Sequence, residues 1–109
     1  MAVPENTISQ AKPAATTLTD LYSPGSGRRA RVTVTAAAQA ATDDIRVSLA
    51  KAAAADATSQ YVAYDLAVAQ DTPFQVEMYL EGADVIRVWS TAGNVAFLAN
   101  GYEDDIPSA

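Results

Sequence analysis

The residue types that carry most protein chemistry are missing from this sequence. It contains no cysteine and no histidine. Without histidine, the usual general base and the commonest transition-metal ligand are gone. A Ser-His-Asp or Cys-His mechanism cannot be assembled, and disulfides and thiolate metal sites are excluded. Carboxylates, arginines and aromatics remain. Two carboxylate pairs stand out, Asp43–Asp44 and Asp104–Asp105. A glycosidase needs two carboxylates facing each other across a cleft, about 5–10 Å apart. Adjacency in sequence does not supply that, so the pairs read as a solvated turn and a charged tail. The "ATDD" run at residues 41–44 lacks EF-hand spacing for calcium. "GSG" at residues 25–27 is followed by neither a helix nor a Walker lysine, and reads as a hairpin turn rather than a phosphate loop. The expectation is a chain with no catalytic residues, no metal and no cofactor: not an enzyme.

The remaining features point to surfaces. Arg28, Arg29 and Arg31 form the strongest charge cluster. It is either the guard of an edge strand or a contact between subunits, with the acidic run Glu103, Asp104 and Asp105 as a partner. Trp89 is the single tryptophan. On a period of two it opposes Ile86 and Val88, so it faces outward as an interface anchor, unless a bulge turns it inward. Tyr79, between Glu77 and Glu81, is a second candidate of the same kind.

These side chains need elements to hold them. "RRARVTVTA" (residues 28–36) sets Ala30, Val32, Val34 and Ala36 on one face and Arg29, Arg31, Thr33 and Thr35 on the other. That alternation belongs to a half-buried strand. "FQVEMYLE" (74–81) alternates most cleanly, and "TTLTDLYS" (16–23), "VIRVWST" (85–91) and "VAFLANGYE" (95–103) also read as strands. "YVAYDLAVA" (61–69) puts Val62, Tyr64, Leu66 and Val68 on an expected core face. Alanine propensity favours a helix over residues 35–60. The alternation of Ile45, Val47 and Leu49 in "DIRVSLAK" (44–51) outweighs it, because Val47 would fall off a helical stripe. The alanine tracts then become strand ends and loops, small-residue surfaces that another chain can approach closely. Residues 1–15 are polar and marked by Pro4 and Pro13, and read as an extended N-terminal arm, either frayed or docked on a neighbouring subunit. The sandwich domain is expected over residues 16–103, with an acidic tail at 104–109. The fold class is all-β: an antiparallel β-sandwich, jelly-roll or Ig-like, of about seven to eight strands.

The 109 residues make one domain, and because 24 of them are alanine the core should be thin. A net charge of -6 argues against nonspecific nucleic-acid binding. The first residues do not form a signal peptide, and no apolar run is long enough to span a bilayer, so the expectation is a soluble protein made in the cytoplasm.

Three blocks carry a resemblance. "QAKPAATTLTDLY" (10–22), "YVAYD" (61–65) and "DVIRVWST" (84–91) occur here in order. They resemble the Q-x-x-P-A-A-T-T-L-x-x-L-Y, Y-x-x-Y-D and D-V-[IV]-x-V-[YW]-[SA]-T blocks of small phage and prophage virion structural proteins of about this length. The alanine-rich middle, residues 36–57, departs from that group. The resemblance implies a β-sandwich that assembles rather than catalyses. It leads to a capsid decoration (cement) protein on the outer shell, with the major capsid protein or other virion proteins as partners and a homo-oligomer, a trimer, as its state. No nucleic acid and no membrane enter this expectation. The alternatives are a neck, tail or fibre-associated protein, or a carbohydrate-binding module for host attachment using Trp89, Tyr79 and Tyr64. Interface residues are expected at Arg28, Arg29, Arg31, Tyr79 and Trp89.

Overall fold

Branched and aromatic residues recurring at every second position become strands, because each alternate side chain then points to one face of a sheet. The computed structural model, which describes residues 6–106, has eight of them: β1 (Asn6–Ala11), β2 (Thr19–Tyr22), β3 (Arg28–Ala38), β4 (Asp43–Ala50), β5 (Tyr61–Val68), β6 (Phe74–Glu81), β7 (Val85–Ser90) and β8 (Val95–Asp105). Helical structure among the described residues is limited to two 3-10 turns, Lys51–Ala53 and Thr58–Gln60, in the β4–β5 connection. Among the described residues no helix is long and apolar enough to cross a membrane.

The strands pair in a nested order, all antiparallel: β4 with β5, β3 with β6, β2 with β7, and β1 with β8. The first half of the chain therefore lies against the second half like one long hairpin. Pairing of β3 with β8 and of β4 with β7 folds that hairpin into two four-stranded sheets. The first sheet has the order β1-β8-β3-β6, the second β2-β7-β4-β5. Their inner faces share one apolar cluster. Val32, Val34, Leu80 and Phe97 come from the first sheet and Ile45, Val47, Ile86 and Val88 from the second, all fully buried. Leu21, Tyr22, Val68, Met78 and Val95 complete it, with Ala30, Ala36, Ala38, Ala63 and Ala99 between them. This is the thin core that the composition implied.

Four features differ from the sequence reading. First, Asn6–Ala11, expected within an arm, is a strand bonded to β8. The remainder of that arm at residues 1–5, like the end of the tail at 107–109, lies outside the described residues. Second, β8 runs on through Asp104 and Asp105, which sit opposite Arg29 and Arg28 on β3 rather than in a tail. Third, "GSG" does not close a hairpin. Its flanking strands β2 and β3 belong to different sheets, because β2 bonds to β7. The turn crosses between sheets, and Gly25 N–H donates to Gly82 O at 2.9 Å. Fourth, β5 does not keep one apolar face. The β4–β5 register slips twice, and Asp65 takes φ 54° at the slip opposite Ile45 and Arg46. Ala63 and Val68 are buried, whereas Val62 and Tyr64 are about half exposed.

Candidate interaction surfaces

The register places an aromatic–arginine–aromatic row across the outer face of each sheet. In the first sheet Arg31 on β3 lies opposite Tyr79 on β6 and Tyr102 on β8. In the second sheet Arg46 on β4 lies opposite Trp89 on β7 and Tyr64 on β5. Directly paired positions share a face at close range, so each row is a contiguous patch.

The two rows differ in how far they are satisfied. The Arg46 guanidinium carbon sits 4.1 Å from the Trp89 ring centroid and 4.3 Å from that of Tyr64. Its Nε also donates to Asp65 Oδ1 at 2.7 Å. The arginine is thus held by two π faces and a carboxylate from its own chain. Tyr61 adds an edge-on contact to Tyr64, with centroids 5.1 Å apart. The β4–β5 connection folds over the neighbouring part of this face, where Arg87 Nη1 donates to Ala54 O at 2.8 Å and Arg87 Nε to Asp20 at 3.2 Å. Ser48 is fully buried under it, and its Oγ has no hydrogen-bond partner among the described residues.

The Arg31 row is open. Tyr79 is 49 % exposed and Tyr102 42 %. A shallow cleft is lined by Arg29, Ala30, Arg31, Tyr79, Tyr102 and Asp104. The other four arginines form ion pairs within the chain: Arg28 with Glu103 and Asp105, Arg29 with Asp104, Arg46 with Asp65, and Arg87 with Asp20. Among the described residues Arg31 forms none.

The structure thus separates the interface residues expected from sequence. Arg31 and Tyr79 share one exposed row. Arg28 and Arg29 stand beside it, but the acidic run they were expected to meet on another subunit binds them in their own chain. Arg28 Nη2 reaches Glu103 at 2.9 Å and Nη1 reaches Asp105 at 2.6 Å. Tyr22 OH donates to the second Glu103 oxygen, tying β2 of one sheet to β8 of the other. Burial, and then this bond to Glu103, push the Tyr22 phenol well above its ordinary range. Trp89 faces outward on the opposite sheet, partly covered by Arg46. Sequence reasoning missed Tyr102 and Arg46 as partners in these rows, and put Tyr64 on the core face. Cross-strand register carries that information, and a single strand's alternation does not.

The carboxylates have structural partners. Asp43, expected in a solvated turn, is buried because its oxygens accept from the backbone N–H of Asp44, Ala92 and Asn94 at 2.9–3.2 Å. It pins the β7–β8 turn to the start of β4. At the other end Asp84, also buried, accepts from Lys51 Nζ and Ala52 N at 2.8 Å and from Glu81 N at 3.1 Å. Burial pushes the Asp84 carboxyl up, but these bonds outweigh it and hold the group below its ordinary value. No group of three acidic side chains among the described residues converges as a metal site.

No known protein family matches the sequence, and no curated protein does. Among solved structures the fold is similar to a pentameric capsid protein isolated from metagenomic phage sequences, in two crystal structures. The TM-scores are 0.42 and 0.40, with 16 % and 17 % identity. The likeness covers 93 % of this chain and 63 % and 61 % of those chains, so this chain spans less than two thirds of their length.

Proposed function

We propose that this chain is a phage virion structural protein with a jelly-roll fold, and that it is a capsid decoration protein bound to the outer shell through repeated modest contacts. The observation that carries this reading is the strand order. Nested pairing of eight strands into β1-β8-β3-β6 and β2-β7-β4-β5 is the arrangement of a jelly roll, a fold used by viral capsid proteins and also by lectins. The three sequence blocks that resemble small virion proteins agree with it. The outer faces fit an assembling role, since both present aromatic and charged groups. The test is quantitative electrophoresis of purified particles together with a reconstruction of the intact virion. A copy number near that of the major capsid protein, with density of this size on the shell, is the expected result. A few copies per particle would move the protein to the neck, tail or a fibre.

A second reading, glycan binding for host attachment, draws on the open pair Tyr79 and Tyr102. Sugar rings stack on such exposed aromatics. Binding on a glycan array that disappears in Tyr79→Ala and Tyr102→Ala would favour it over assembly. Trp89 is a poorer platform because Arg46 occupies its face.

A further inference from the structure

We infer that the Tyr79–Arg31–Tyr102 row receives the β5 edge of a second copy of this chain, in a head-to-tail contact. The protein itself shows what such a row accepts. In the second sheet the equivalent arginine, between Trp89 and Tyr64, holds the carboxylate of Asp65. In the first sheet the arginine has no carboxylate, and strand spacing sets its two tyrosines roughly 9–10 Å apart. Glu77 and Glu81 lie on the same strand as Tyr79 and rim the platform. It therefore suits one carboxylate seated on Arg31 and flanked by apolar contacts, and repels a polyanion.

The exposed apolar groups identify the occupant. Among the described residues, large exposed hydrophobics are confined to Tyr79 and Tyr102 on this platform, Val62, Tyr64 and Leu66 along β5, and Ile106. The β5 edge is acidic as well as apolar, with Asp44, Asp56 and Asp65 exposed around it. Each patch has what the other lacks. The platform offers an unpaired cation between two rings; the edge offers the exposed Asp44 carboxylate near Leu66, Asp65 being taken by Arg46 and Asp56 by Tyr61. Two different patches on one chain join head to tail, and such a contact closes into a ring or extends as a filament.

This inference deepens the assembly role proposed above and rests on it for its setting, but it is tested on the isolated protein. The full chain is followed by sedimentation velocity from micromolar to millimolar concentration, beside Arg31→Glu on the platform and Val62→Asp on the edge. Both sites are exposed, and thermal melts confirm folding; Tyr102→Ala replaces Arg31→Glu should the latter misfold. The wild type is expected to form rings or filaments. Each variant alone weakens association by roughly tenfold or more. Mixed together, the two variants form 1:1 heterodimers that grow no further, since each retains one sound patch. A monomeric wild type, a variant that assembles like the wild type, or a mixture that stays monomeric overturns the inference. Assembly of this kind in a protein absent from particles would remove the virion reading and leave the contact standing.

Discussion

At Asp84 three hydrogen bonds decide the charge state of a buried carboxyl. The folded state favours the ionised form, so the stabilisation is complete above the unfolded pKa of about 3.9. It is lost as pH falls through the lower folded value. Asp84→Asn is expected to cost about 1–3 kcal/mol at neutral pH, because Ala52 N–H, Glu81 N–H and Lys51 lose a charged acceptor. Urea melts of wild type and variant should converge in acid. Tyr61 runs the other way. Burial, and then its bond to Asp56, raise the phenol to about 12. The folded state favours the neutral form, so the contribution is intact below the unfolded value of about 10 and disappears as pH rises through about 12. An alkaline absorbance titration should show Tyr22 and Tyr61 ionising late, and Tyr61→Phe should remove one of the late groups. Ser48→Ala, which deletes a buried hydroxyl without a partner, should leave stability unchanged or raise it by about 1 kcal/mol, measured in the same urea melts.

At the scale of elements, β8 is an inner strand, paired to β1 on one side and β3 on the other. Gly101 in its middle takes φ +153°, and an added Cβ would lie 2.0 Å from the Arg31 carbonyl oxygen. Both obstacles are backbone, so Gly101→Ala is expected to lose about 3 kcal/mol or more, read from chemical denaturation. Strands β3 and β6 were legible from sequence because their alternation runs without a slip against a buried face, and β4 because Ile45 and Val47 hold its inner side although Ser48 is buried too. β5 was not, because its register slips twice and an unbroken count of two assigned Val62 and Tyr64 to the wrong side. β1 was hidden for another reason. "NTISQA" has no apolar alternation of its own and becomes a strand by bonding to β8. Arg31 and Tyr79 were legible as outward residues. Their meeting with Tyr102 depends on a pairing between strands far apart in sequence.

For the whole molecule, one cluster joins the two sheets, and Phe97 is its largest fully buried side chain. Phe97→Ala should cost about 3–5 kcal/mol, visible as a lower denaturant midpoint. That is a large share of the roughly 5–15 kcal/mol that holds a domain together. The nested pairing also has a consequence in time. During synthesis β8 leaves the ribosome after the other seven strands, yet it fills an inner place in the first sheet. Until it arrives, β1 and β3 lack the neighbour they share, and the apolar face waiting for Phe97 stays open. Folding is therefore expected after translation of β8 rather than alongside the growing chain, and slowly, as sequence-distant pairing requires. The closed sandwich would exist only once the eighth strand is made.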